Sequence, residues 1–364
     1  MIFMRSAARA ISLKSIIAWL PNECLYIILE CLATPDLAAM CRTSRLLRNM
    51  GTQMLYRYVT ICSEVQLERF LEGFWRGVAE KESPVRMIRL FVLEASAVRG
   101  HLIEAQGKKL TTILCNMSAL EFIRLQPYSM DYSALFQKAR FPALATFHGH
   151  LRTETAVAAT DFLNRHSATL NSVTIINPYP IEFAPGLQRI CLPGLRDVCT
   201  RPLLLELFDF NDVPLTKITF LTHASDADTS AASFANLRGV STLQNVTVLS
   251  YGDRGQRLTL LHIIAANLPH VQNLTFTEMW RNRAPISHDD SNTIAAALEK
   301  FDALKVLEFR NAVGNPSDTV VRWGNACQSL QSIRLNGVTF ERRETDWPVT
   351  KKRAVVNSDA EDHS

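Results

Sequence analysis

Two histidines, His148 and His150, stand two residues apart, a spacing that sends both side chains to one face of an extended strand. Two imidazoles are half of a tetrahedral metal site, and no Asp, Glu or Cys is spaced to supply the other half. No metal is expected there. The acidic groups Asp226-Ala227-Asp228 and Asp289-Asp290 lack the glycine and downstream glutamate of a calcium loop, so they read as loop and capping acids. The chain has no Gly-x-x-x-x-Gly-Lys phosphate loop, no His-Glu-x-x-His and no Gly-x-Ser-x-Gly elbow. Nothing in the residue pattern activates a nucleophile. The expectation is a protein without catalytic residues or cofactor, whose chemistry is binding.

The eight cysteines (Cys24, Cys31, Cys41, Cys62, Cys115, Cys191, Cys199 and Cys327) include no pair at zinc-knuckle spacing. Most lie among apolar residues, which predicts free thiols acting as small core hydrophobes in a reducing compartment. Of 364 residues, 47% are hydrophobic and 20% charged, a balance that folds. The 39 basic and 35 acidic residues nearly cancel and form no dense basic stripe, which argues against nucleic acid as a partner. No apolar run approaches the length of a membrane span. Arg5, Arg9 and Lys14 precede the first acid, Glu23, as in a mitochondrial presequence. A flexible N-terminus over residues 1–18 is the preferred reading, in a cytoplasmic or nuclear protein.

The elements that position any binding residues begin at Leu20. Leu25, Ile28, Leu29 and Leu32 recur at helical spacing after Pro21, which suits a helix start. Thr34-Pro35 restarts a second segment with Leu37, Met40 and Cys41. Thr43-Ser44 opens a third, with Leu47, Met50, Met54 and Leu55. Each is too short to stand alone in water. The order Leu20-Pro21-Asn22-Glu23, then Ile28-Leu29, Asp36-Leu37 and Thr43-Ser44-Arg45, resembles an F-box over about 40 residues of the chain. Leu46-Leu47-Arg48 stands where many F-boxes carry a tryptophan. The resemblance implies a three-helix module at 19–60 that docks a Skp-type adaptor hung from a cullin scaffold. Leu20, Pro21, Leu25, Ile28, Leu29, Leu32, Leu37 and Leu47 would be its contacts.

The rest of the chain is self-similar. Ten segments share the skeleton apolar-x-x-apolar-x-apolar, or nearly so: Val85-Ile88-Leu90, Leu120-Ile123-Leu125, Leu144-Phe147-Gly149, Leu170-Val173-Ile175, Leu195-Val198-Thr200, Leu215-Ile218-Phe220, Leu243-Val246-Val248, Val271-Leu274-Phe276, Leu304-Leu307-Phe309 and Leu330-Ile333-Leu335. Their first positions are 35, 24, 26, 25, 20, 28, 28, 33 and 26 residues apart, centred on leucine-rich-repeat lengths. The last two apolar positions face one side of a short strand, so parallel stacking buries a continuous ridge that no single repeat can bury. Between hexads, Leu258, Leu261, Ile264 and Leu268 lie on one helix face before Pro269. Ile294, Leu298 and Phe301 follow the capping acids, and Val320, Val321 and Trp323 follow Pro316. Tyr56 to Ile61 reads as an extra strand and Ser63 to Trp75 as its helix.

This predicts an α/β leucine-rich-repeat-like solenoid over 61–340, a horseshoe with parallel strands on its concave face. A doubly wound sheet would instead show fewer strands, uniform Val/Ile runs and a Gly-rich phosphate loop. No flexible linker separates module from array, so the joint should be rigid. Residues between the buried ones would line the concave face as target contacts: Arg89, Phe122, Arg124, His148, Thr174, Thr219, Thr247, Thr275, Glu308, Arg310 and Arg334. That gives a threonine stripe in the middle, which strand propensity alone also explains, and cations at both ends. The stretch 341–364 is charged and is expected to be a disordered tail. Lys351-Lys352-Arg353 reads as a solvated charge run or a weak import signal. Together these parts predict a substrate-recognition adaptor of a cullin-based ubiquitin ligase. A repeat scaffold with no ligase role is the alternative, and membrane is not expected as a partner.

Overall fold

The computed structural model describes residues 20–78, 83–95, 104–127, 130–176, 187–223, 231–251, 254–278, 287–310, 316–344 and 346–352. Three short helices come first: α1 (Asn22–Glu30), α2 (Thr34–Met40) and α3 (Arg45–Leu55). The Ser44 hydroxyl accepts from the Leu47 amide at the start of α3 and satisfies a donor the helix cannot. Leu29, Leu37 and Leu47 form the small core of this module, with Leu32, Met40, Met50, Met54 and Leu55 packed around them.

Strand β1 (Tyr58–Ile61) follows α3 after two residues. Helix α4 (Glu64–Trp75) comes next, capped by the Ser63 hydroxyl on the Gln66 amide. Helix α3 also packs against a 3-10 turn at Pro84–Met87, so module and array share a packed seam. Strands β2 (Leu90–Leu93), β3 (Phe122–Leu125), β4 (Thr146–His150) and β5 (Ser172–Ile176) alternate with α5 (Glu104–Cys115), α6 (Ser133–Lys138) and α7 (Ala156–Arg165). A two-stranded pair, β6 (Ile190–Cys191) with β8 (Phe208–Asp209), and a 3-10 segment at Pro202–Leu207 interrupt that rhythm around β7 (Asp197–Thr200). It resumes through β9 (Lys217–His223), α8 (Ala231–Ala235), β10 (Asn245–Tyr251), α9 (Arg254–Asn267), β11 (Asn273–Glu278), α10 (His288–Leu298), β12 (Val306–Arg310), α11 (Pro316–Ala326) and β13 (Ser332–Leu335).

Among the described residues one sheet has thirteen strands, and its neighbours follow chain order from β1 to β13 with only β6 and β8 left out. Every one of those pairings is parallel. A carbonyl at each strand entry binds the next repeat: Arg57 accepts from the Arg89 and Leu90 amides at 3.0 Å, and Lys305 from Gln331 and Ser332 at 2.8 and 3.0 Å. The protein is thus mixed α/β with a large parallel sheet and an N-terminal helical module.

Nine of the ten hexads fall on the strands in the expected register, their inward residues buried together in one cluster. The first is displaced by three. Phe91 pairs with Ile123 and Leu93 with Leu125, so the structural hexad is Ile88-Phe91-Leu93. Val85 is buried from the 3-10 turn instead, which is why it mimicked a leading position. Residues Tyr56, Val59 and Ile61 occupy the same places one strand earlier, by the pairing of Val59 with Phe91 and Ile61 with Leu93. Gly149 closes its hexad without a side chain because the Phe147 ring fills that space, 2.6 Å from where a Cβ would stand.

The end of the chain departs from expectation. Asn336 and Gly337 both have positive φ (51° and 80°) and turn β13 back into β14 (Val338–Glu341), which pairs antiparallel with β15 (Val349–Lys352). Asn-Gly suits this two-residue hairpin because both central positions need φ > 0. Phe340 and Trp347 are buried, with Trp347 against Gly324 and stacked under Arg342 at 5.5 Å. Residues 341–352 are therefore an ordered cap on the last repeat, apart from residue 345, which lies outside the described residues. So do 353–364 of the expected tail and the N-terminus 1–18. The cysteines also differ from expectation. Only Cys41 and Cys327 are buried, while Cys24, Cys31, Cys62 and Cys191 are exposed thiols.

Candidate protein-binding surfaces

Helix α1 carries apolar side chains on both faces. Leu25 and Leu29 point inward and are 3% and 1% exposed. Cys24, Ile27, Ile28 and Cys31, at the three- and four-residue spacing of one helix stripe, are all exposed, Ile27 at 63% and Ile28 at 44%. Of the expected adaptor contacts, Pro21 and Ile28 are exposed and Leu20 and Leu32 half-buried. Leu29, Leu37 and Leu47 form the module's own core and Leu25 is buried as well, so these four offer no surface, a correction with a simple cause. Three short helices must spend their strongest hydrophobes on each other. Ile27 was missed, although the unbroken run Leu25-Tyr26-Ile27-Ile28-Leu29 signals a helix with a second face to cover.

Where α1 and α3 meet the array, Tyr26, Gln53, Met54, Arg57, Met87, Arg89 and Ala119 line a cleft. Tyr26 donates to Gln53 at 3.2 Å, and Arg57 lies 3.7 Å from Glu30. Arg89 belongs to this seam and to strand entry, paired at 3.1 Å with Glu121, its counterpart one repeat on. The register shift gives its expected place on the sheet face to Val92.

The sheet's second face, opposite the core ridge, is built from residues in register. One row runs Val92, Arg124, His148, Thr174, Cys199, Thr219, Thr247, Thr275, Glu308, Arg334, each opposite the next. Arg124, Arg334 and the four threonines therefore share one face, with Phe122 and Arg310 two residues away along their strands. The threonine stripe is interrupted by Cys199. Thr174 and Thr219 are only 8% exposed, so these two expected contacts offer a partner little, while Thr247 and Thr275 are partly exposed. Burial and the nearby Asp197 push the Cys199 thiol up to about 11, which keeps it protonated and unreactive.

The two ends of the row differ. At the late end Glu308 accepts from Arg310 at 2.7 Å and lies 3.9 Å from Arg334, so one carboxylate serves two guanidiniums. At the early end the Arg124 guanidinium lies 5.7 Å from the Phe122 ring centre, and that ring is 5.1 Å from the His148 ring. Burial, and secondarily the Arg124 charge, push His148 down to about 4, so it is neutral at pH 7. Burial likewise lowers His150. Among the described residues no three His, Cys, Asp or Glu side chains gather as metal ligands, and no helix is long and apolar enough to cross a membrane.

Comparison with known proteins bears on the helical module. Residues 17–54 match the F-box domain, so the helical module is an F-box; such domains generally bind Skp-type adaptors and typically belong to adaptors rather than enzymes. No curated protein matches the sequence. Among solved structures, a Bacteroides fragilis protein aligns over 73% of this chain and 71% of its own at 9% identity and a TM-score of 0.43, too distant a likeness to carry an argument.

Proposed function

We propose that this protein is a substrate-recognition adaptor of a cullin-based ubiquitin ligase. Its F-box would dock a Skp-type adaptor, and its repeats, a leucine-rich-repeat-like horseshoe, would hold the target on the strand-lined face. The observation that carries this reading is the exposed apolar stripe Cys24, Ile27, Ile28 and Cys31 on a helix inside a matched F-box. Apolar residues at that spacing suit a helix laid against an apolar groove. Fully burying an exposed isoleucine contributes about 1.5–3 kcal/mol, and Ile27 and Ile28, at 63% and 44% exposure, together supply about one such contribution. The sequential parallel order of the strands supports the repeat half, because it leaves one broad face unclaimed by the helices. The protein makes or breaks no bond in this reading. It raises the local concentration of a captured target beside a ubiquitin-charged enzyme.

The test is co-purification of the full chain with a Skp-type adaptor, comparing wild type with Ile27→Asp/Ile28→Asp. Both residues are exposed, so the double variant keeps its melting temperature and loses the adaptor. Equal recovery of adaptor by both proteins, or none by the wild type, would sink the proposal. Leu25→Asp is a poor probe, since it places a charge at a buried position.

A further inference from the structure

The row of charges across the sheet's second face is almost entirely self-neutralised. Lys217 holds Asp197 at 3.1 Å and Glu308 is shared by Arg310 and Arg334, while at the strand entries beside the face Arg89 holds Glu121 at 3.1 Å. Arg124 is the exception. It is half-buried and has no carboxylate or hydrogen-bond acceptor among the described residues, only the Phe122 ring beneath it. A guanidinium has five N–H donors in a planar fork, and lying over an aromatic ring at cation–π distance leaves those donors without a competing acceptor. Its neighbours add no competing charge. His148 beside it is uncharged at neutral pH, and Leu90 and Val92 of β2, opposite Phe122 and Arg124, are apolar. The result is one preoriented positive charge on an apolar and aromatic floor.

We propose that Arg124, lying over Phe122 and bordered by Leu90 and His148, is the anchor of the target-binding face and receives a single carboxylate, an Asp or Glu side chain set beside an apolar residue of the partner protein. The count of charges selects the ligand. One guanidinium matches a monoanion, whereas a phosphate of nearly two negative charges needs a second cation, and Arg89 is already committed to Glu121. The apolar neighbour follows from the exposed parts of Leu90 and Phe122. This inference rests on the sheet face being the target site, but not on the F-box reading.

The experiment selects short random peptides, displayed on phage, on the purified full chain and measures the consensus peptide by fluorescence polarisation. The expected consensus carries one acid next to an aliphatic or aromatic residue. Arg124→Gln weakens that peptide about ten- to hundredfold, the cost of a lost hydrogen-bonded charge pair. Arg124→Glu restores binding when the peptide's acid is changed to lysine, and Arg334→Gln, at the neutralised end, changes little. A phosphoserine in place of the acid binds no tighter. The proposal is overturned by an empty selection, by a consensus without an acid, by a phosphopeptide that binds much tighter, or by affinity indifferent to Arg124→Gln. Thermal melts of the variants show that each is folded. Adaptor capture by the same proteins separates this outcome from failure of the ligase reading.

Discussion

The F-box module and the repeat array use the same apolar residue types in opposite ways. The module buries three leucines at its centre and leaves Ile27, Ile28 and Leu46 at 63%, 44% and 41% exposure. The array gathers most of its apolar residues from Ile61 to Trp347 into one continuous cluster, with Val65, Trp75, Val157, Val321 and Val349 left exposed away from it, and the strand face it presents is largely polar. A helix three turns long or less cannot hide two apolar faces in a three-helix bundle. A strand in a stack can hide its one apolar face completely, because its neighbours extend the same ridge. The module is therefore suited to gain energy by burying apolar surface against a partner, and the array by matching charge and hydrogen bonds.

The comparison breaks most visibly in the cores. Phe220 is fully buried, its ring 5.0 Å from that of Phe234. Phe220→Ala should cost about 3–5 kcal/mol and lower the main calorimetric transition. Leu47→Ala should cost about 2–5 kcal/mol by the same arithmetic, but locally. Hydrogen exchange should accelerate across residues 22–55 while amides of β9 to β12 stay protected. Equal loss of protection in both regions would show a single cooperative unit and end the distinction. Smaller effects sharpen it. Ser44→Ala and Ser63→Ala each remove an N-cap and should cost about 1 kcal/mol, the first seen in module exchange and the second in the array melt.

The remaining expected effect is electrostatic. With its folded-state pKa near 4 against an ordinary value of 6.5, His148 takes up its proton in the unfolded chain first. Stability should therefore fall as pH drops from about 6.5 toward 4 and level off below that. His148→Asn should flatten this window. Arg124→Gln should raise the His148 midpoint, read by NMR, because the neighbouring charge is one of the causes holding it down.

Much of the fold was legible because its signals are local and repeated. Nine hexads sit on strands at the expected positions, and α9, α10 and α11 fall where Leu261, Ile264, Ile294 and Val320 placed them. The helix α10 cap lies at Ser287, with Asp290 returning a bond to the Ser287 amide, where capping acids were expected. The misses have equally local reasons. Val85 obeyed the apolar pattern but sits in a 3-10 turn after Pro84, and the unbroken Leu90-Phe91-Val92-Leu93 run marked the strand better. The charged composition after Glu341 suggested disorder, while Asn336-Gly337 and the buried Trp347 specified a hairpin. The site was less legible than the fold. Periodicity identified α1 as a helix, but its apolar residues gave no means of telling the inner face from the outer.

The sequence alone determined the helical module, the repeat and the alternation that puts Arg124, the threonines and Arg334 on one sheet face, because spacing along the chain dictates which side a residue takes. Only the tertiary structure decided which leucines of α1 are spent inside, which arginines already hold a carboxylate, and that Arg124 holds none among the described residues. Those outcomes depend on atoms brought together from repeats some thirty residues apart, as Arg89 and Glu121 are, and no local pattern records that meeting.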